Sequence, residues 1–319
     1  MNRWIALPIT WMLAAGTAFA QGYPNRPLRM VIPYAPGGPV DIVGRVVGAR
    51  LSDALGQQVI IDNRAGAGGN IALDIVAKSA PDGYTLLMGA NGPIAINPSL
   101  YRNMPVDTLK DLNALTVVAS SAMILVAHPS VPAATVKELI ALAKARPGGI
   151  NYASSGSGST AHLASELFKS MAGVQMVHVP YKGAGPALAD LVGGQVQTMF
   201  TGISSTLPYV KSGKLKALAV SSERRLPIMP ELPAVAEDLP GYEVATWYGV
   251  FTPVGVPRGV LERLHGALVQ VLGTADAQQR LAALGADAHT NTPPQFAAAI
   301  RTERAKWARI IKESGAKAD

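Results

Sequence analysis

The chain is 319 residues long, 49% hydrophobic and only 15% charged, with 32 glycines and 24 prolines. That length suits two domains, and the composition excludes disordered and coiled-coil classes. The net charge is +7, but Lys and Arg are scattered and no basic run is interleaved with aromatics, so no nucleic-acid partner is expected.

The N-terminal stretch MNRWIALPITWMLAAGTAFA carries one basic residue, Arg3, an uncharged apolar run, and the small-x-small pattern Ala18-Phe19-Ala20. It reads as a signal peptide, 1–20, with the exported chain starting at Gln21 and a charge of +6. The apolar part is short for a membrane span, and no basic stop-transfer cluster follows. Cysteine is absent, so disulfides, thiolate chemistry and Cys-ligated metals are excluded.

Beyond Gln21, apolar runs alternate with stretches of helical period. Leu28–Tyr34 predicts a buried strand, and Asp41–Leu55 a helix with Ile42, Val46, Val47, Leu51 and Leu55 on one face. Val59–Asp62 and Tyr84–Gly89 predict strands around a helix at Ile71–Ser79, and Ser121–His128 another strand. Thr135 with Glu138 forms a capping box that opens a helix. Asn151–Ser154 predicts a strand, and Ala161–Ala172 a helix with Ala164, Leu167, Phe168 and Met171 on one face. Short strands follow at Val177–Pro180, Val196–Phe200 and Leu215–Ser221, around a helix at Pro186–Val192. A strand at Val244–Phe251 and helices at about Arg258–Leu272 and Pro294–Ser314 complete the pattern. This alternation predicts α/β units with mainly parallel sheets.

One motif recurs. Each half begins with strand, Gly-rich turn and helix: VIPYAPGGPVDIVGRVV and INYASSGSGSTAHLASELF. Paired loops at the C-terminal ends of strands are where open α/β sheets bind ligands. The runs Ser121–His128 and Val244–Phe251 bracket the second half and are assigned as paired crossovers. The expected division is 23–123 plus 247–319 for one lobe and 124–246 for the other.

Gly156, Gly158 and Ala161 match the dinucleotide fingerprint G-x-G-x-x-G/A. However, the next strand ends in Val179, Pro180 and Tyr181, with no acidic residue for a ribose, and no GxxxxGK[ST] occurs. Serine catalysis fares no better, since there is no G-x-S-x-G elbow and His162 lies one helical turn after Ser159. The five histidines are isolated and no loop pairs two carboxylates, so no catalytic or metal-binding residues and no cofactor are expected.

What remains is an anion grip without formal charge. Ser154, Ser155, Ser157, Ser159 and Thr160 offer hydroxyls beside a helix N-terminus, and the glycines permit close approach. Ala35, Pro36, Gly37, Gly38 and Asp41 form the matching first loop. Asp41 reads either as a partner for a ligand amine or ordered water, or as a first-turn carboxylate pairing with Arg45. DNRAGAGGN at 62–70 reads as a structural turn before a helix.

From Tyr23 to about Gly285 the chain closely resembles the Bug family, solute-binding proteins of tripartite tricarboxylate transporters. The resemblance is carried by YPNRPLRMVIPYAPGGPVD, PDGYTLLMG, INPSLY, NYASSGSGSTAHLASELF, HVPYKGAGPALADLVGGQV, GKLKALAVSSERR and TWYGVFTPVGVP. It implies a two-lobe type II periplasmic binding protein (Venus-flytrap) fold closing on a small carboxylate. The implied partners are that ligand and the membrane subunits of the transporter, and a periplasmic monomer is expected. Carried over by position, the first lobe contributes Tyr34, Ala35, Pro36, Gly37, Gly38, Asp41 and Asn91. The second contributes Ser154, Ser155, Gly156, Gly158, Ser159, Thr160, His162, Tyr181 and Lys182. Trp247 and Tyr248 stand either as pocket walls or as hinge and core aromatics. Thr201 replaces the aspartate that relatives often carry, which favours a plain carboxylate over an amino acid. A receptor feeding a sensor, or an enzyme acting on a carboxylate, are the competing readings.

Overall fold

A computed structural model describes residues 22–318. The expected signal peptide and the start at Gln21 lie outside the described residues. The first half holds β1 (Leu28–Ile32), α1 (Pro39–Leu55), β2 (Val59–Asn63), α2 (Asn70–Ala77), β3 (Thr85–Ala90) and α3 (Asn97–Leu100). The long β4 (Leu112–Ala127) leads to α4 (Val136–Ala145), β5 (Asn151–Ser154), α5 (Thr160–Ala172), β6 (Val177–Pro180) and α6 (Ala184–Val192). Next come β7 (Thr198–Gly202), α7 (Ile203–Lys211), β8 (Lys216–Val220) and β9 (Ala245–Pro253). The chain finishes with α8 (Arg258–Leu272), α9 (Ala275–Ala283), β10 (Asp287–Ala288) and α10 (Pro293–Ser314).

Strand order is β2-β1-β3-β9-β4-β7-β5-β6, with β8 and β10 also on β4. Pairing is parallel in β2-β1-β3 and in β7-β5-β6, as alternating units require. The centre is different. β9 runs antiparallel to both β3 and β4, and β4 antiparallel to β7 and β8. The sheets are therefore mixed, because the chain passes between the halves on β4 and returns on β9. Along β4, Leu112–Ala122 pairs with β9, whereas Met123–Ala127 pairs with β7. The β4 strand begins nine residues before the expected Ser121.

Local chemistry explains the elements. Pro39 at the first position of α1 has φ already fixed and loses no helical N–H bond, while Gly56 closes the helix in the left-handed region (φ 67). The buried face of α1 is turned from the expected one. Val43, Val47, Leu51 and Leu55 are buried with Gly44 and Gly48, whereas Ile42 and Val46 are only half-buried. Gly44 lets α1 lie close to β1, where a Cβ would be 2.6 Å from Ile32 Cδ1. In α5 the core takes Leu163, Ala164, Phe168 and Ala172, leaving Leu167 half-buried and Met171 exposed. Thr135 caps α4 as expected, accepting from the Glu138 N–H, and Glu138 in turn accepts from the Ala134 N–H.

Each half has its own apolar core. Helix α10 is shared: Phe296 and Ile300 pack with Val31, Ala72 and Phe251, whereas Trp307 and Ile310 pack with Phe168 and Tyr242.

Candidate functional site

Four helices start at one cavity between the halves. Gly38, Pro39 and Val40 open α1, Thr160 and Ala161 open α5, Ala184 opens α6, and Gly202 caps α7. All line one pocket between the halves, together with Tyr34, Ala90, Met123, Ser155, Thr201, Thr246 and Tyr248. None of these lining residues is ionised at neutral pH. First-turn N–H groups have no carbonyl four residues back, and each N-terminus carries roughly half a positive charge. The cavity is thus electropositive without a cation.

The halves meet around it. The Ala35 N–H donates to the Lys182 carbonyl at 3.0 Å, Tyr101 Oη to the Ser157 carbonyl at 2.8 Å, and Thr160 Oγ1 to Asn91 Oδ1 at 2.7 Å. Glycine makes this approach possible: a Cβ on Gly183, at φ +148, would lie 2.7 Å from the Ala35 nitrogen.

The residues singled out in the sequence divide by what they touch. Tyr34, Gly38, Ser155, Thr160 and Thr201 line the cavity. Tyr34 is 5% exposed, and its hydroxyl has no hydrogen-bond partner among the described residues. Burial pushes its phenol well above the usual range, so it remains a donor. Thr201 Oγ1 has only Ser205 Oγ, at 3.5 Å.

Others hold the loops. Asp41 accepts from the Gly37 N–H, Arg45 Nε and Asn63 Nδ2, each at 3.0 Å. Burial alone would raise its pKa, but the hydrogen bonds from Arg45, Gly37 and Asn63 together outweigh burial and hold the carboxyl below its ordinary value. Of its two readings, the first-turn carboxylate paired with Arg45 is the one seen. The Pro36 carbonyl abuts Gly185. Ser154 Oγ bonds His178 Nε2 at 2.7 Å and accepts from the Gly156 N–H, and Ser159 caps α5. His162 accepts from the Gly158 N–H and stacks on His178 at 4.2 Å, away from the cavity lining.

Asn91 is fully buried and hydrogen-bonds Ala245, Thr160 and Thr246. Its Nδ2 donates to the Ala245 carbonyl at 3.0 Å, which fixes the amide orientation because a carbonyl only accepts. Its Oδ1 therefore faces the Thr160 and Thr246 hydroxyls, and both donate to it. Thr160 Oγ1 then meets a ligand as an acceptor, and donation falls to the helix N–H groups.

Of the two neighbouring aromatics, Tyr248 lines the cavity. Trp247 points to the other face of β9, where Nε1 donates to Glu303 at 2.8 Å and the ring meets Phe296 edge-on. Tyr181 Oη donates to Asp190 at 2.7 Å; burial, then that carboxylate, pushes the phenol up to about 12. Tyr181 and the exposed Lys182 line a second recess rather than the cavity. Gly66–Gly69 also line that recess and abut Ser157 of the other half, so DNRAGAGGN is more than a turn before a helix. Thr246 and Gly202 went unnoticed in the sequence. Strand parity with Tyr248 identifies the former, while the latter caps a helix that Pro208 disguises.

Two α/β halves joined by β4 and β9, with helix N-termini facing a cleft, define a periplasmic ligand-binding protein. The chain belongs to the tripartite tricarboxylate transporter family receptor group, TctC, whose model matches residues 43–316. It is 38% identical to protein BugT of Bordetella pertussis over 99% of each chain. It is similar to the structure of R. palustris Rpa4515 with adipate, at 36% identity and TM-score 0.91 over 93% of this chain and 100% of that one. The periplasmic binding protein BugD is similar at 34% identity and TM-score 0.90, with the same coverage.

Proposed function

We propose that this chain captures a small carboxylate in the cavity between residues 23–123 plus 247–319 and residues 124–246. It presents that ligand, in the periplasm, to the membrane subunits of a tripartite tricarboxylate-type transporter. One observation carries the reading: four helix N-termini converge on a cavity lined by no ionised side chain. Such a site favours an anion and has no carboxylate in its lining to pair with an ammonium group. The carboxylate of Asp41 is saturated by three donors, and position 201 is a threonine. Amino acids are therefore disfavoured against plain acids. The adipate bound to Rpa4515 supports the same ligand class. The receptor family to which the chain belongs, and the similarity to the periplasmic binding protein BugD, support binding without turnover.

Calorimetry with mono- and dicarboxylates, their amides and amino acids tests the reading. Acids are expected to bind without metal or nucleotide. Binding confined to amines or amides, or conversion of a bound acid to product, would overturn it. N-terminal sequencing of exported protein is expected to begin at Gln21, and retention of Met1–Ala20 would contradict release into the periplasm.

A further inference from the structure

Helix α10 packs on both halves. Phe296 and Ile300, toward its start, meet Val31 and Phe251, whereas Trp307 and Ile310, toward its end, meet Phe168 and Tyr242. Midway between these anchors is Glu303, half-buried, whose carboxylate accepts from Trp247 Nε1 at 2.8 Å. Trp247 belongs to β9, two residues beyond Ala245, which pairs with Ala122 just before β4 changes partner from β9 to β7. The bond therefore ties the shared helix to a strand that passes between the halves. Neither residue lines the cavity, which β9 reaches through Thr246 and Tyr248 on its other face.

The carboxylate is poorly compensated. It forms no ion pair with any described residue, and Lys306, three residues on, is the cation whose charge steadies it. Trp307, 1% exposed and one turn on, brings its Nε1 near enough to help but short of hydrogen-bond geometry. Burial is the largest influence and raises the carboxyl above its ordinary range, by more than Trp247, Lys306 and Trp307 lower it.

Closure decides how buried this group is. A helix anchored to two bodies cannot follow both when they hinge, so its middle shears against β9 as the cleft opens. Water then reaches the Glu303–Trp247 contact and solvates the charge.

We propose that Glu303 is a positioning residue for closure: its ionised carboxylate, held by Trp247 beside the hinge, opposes the closed arrangement, and neutralising it favours closing. This rests on the closing of the two halves around a ligand proposed above. At neutral pH the charge keeps the empty receptor open, and the ligand supplies the free energy that closes it. Each pH unit by which the carboxyl titrates higher in the closed form disfavours closing about tenfold while it is ionised. That penalty is absent below the ordinary carboxyl range and grows as pH rises through the raised value.

Small-angle scattering on the ligand-free mature chain tests this at about pH 7.5 and about pH 5, on either side of a raised carboxyl. At the higher pH, Glu303→Gln is expected to be more compact than wild type. Wild type is expected to approach it at the lower pH, while Glu303→Gln changes least. Trp247→Phe removes the donor and keeps a ring, so it is expected to be more open than wild type at the higher pH. Loss of packing alone would move both variants the same way. Calorimetry at about pH 7.5, with adipate as the probe, is expected to show Glu303→Gln binding about threefold tighter or more. Thermal unfolding checks folding, and if Trp247→Phe fails to fold, Glu303→Gln and the wild-type pH comparison decide alone. A Glu303→Gln chain no more compact and no tighter in binding than wild type, or both variants moving the same way, overturns the hinge role and leaves carboxylate capture standing. Scattering needs no ligand, so a chain that binds no acid yet shows these differences loses the carboxylate reading and keeps the hinge role.

Discussion

Tyr34→Phe separates a ligand-facing group from a structural one, because the two roles predict opposite signs. The hydroxyl is on a side chain 5% exposed and bonds to no described residue. Removing it leaves no protein group unpaired, so the unliganded chain is expected to keep its stability or gain up to about 1 kcal/mol. The liganded chain behaves differently. A hydrogen bond to a charged acceptor contributes about 1.5–3 kcal/mol, so affinity is expected to fall roughly ten- to 150-fold. At a ligand concentration about 100 times the wild-type dissociation constant, binding stabilises wild type by about 2.7 kcal/mol. A variant weakened about thirtyfold retains only about 0.9 kcal/mol of that. Thermal unfolding with and without ligand reads both quantities, and calorimetry gives the affinity directly. Lower stability of the unliganded variant together with unchanged affinity would refute the reasoning, since the hydroxyl would then serve the fold.

Asp41→Asn is expected to flatten the acid limb of stability. The folded carboxyl has a lowered pKa, so its contribution is full above about pH 4 and is lost as pH falls through the lower folded value, which acid titration of both proteins checks. Gly185→Ala improves helix propensity within α6 but aims a methyl at the Pro36 carbonyl. Unliganded stability is expected to hold while affinity falls about tenfold or more, as calorimetry and unfolding together would show. Asn91→Ala leaves the Ala245 carbonyl and two threonine hydroxyls without their partner. A loss of about 2–4 kcal/mol is expected in denaturant unfolding even without ligand.

Much of this site was legible because its chemistry lies in runs of sequence. The loops after β1 and β5, with Gly38, Ser155 and Thr160, announce themselves by glycines and hydroxyls before a helix-period stretch. What was hidden depends on tertiary partners. Nothing local shows that the Gly37 N–H turns to Asp41, or that the Ser154 hydroxyl faces His178. The choice between Trp247 and Tyr248 depends on the pleat of β9, and either phase suits an apolar strand buried on both sides. The α1 face was misread because periodicity counts side chains, whereas Gly44 and Gly48 bury by having none. Mixed pairing at the centre follows from β9 returning beside β4, an arrangement that alternation of strands and helices does not encode.

The division of donors between the halves links capture to closure. The first half supplies α1 and Tyr34, while α5, α6 and α7 come from the second. An anion on either half alone meets only part of the positive field, and the remainder stays in water of high dielectric. Only the closed seam, with Ala35 on Lys182 and Thr160 on Asn91, surrounds it. The ligand therefore interacts more strongly with the closed arrangement than with an open one, which is the condition for binding to shift that equilibrium. An ionised arginine in the cavity would hold the acid on one half by itself and weaken this link. Donors carried by neutral backbone on both halves make retention depend on the seam. Opening of the seam would then release a bound anion without any competing charge.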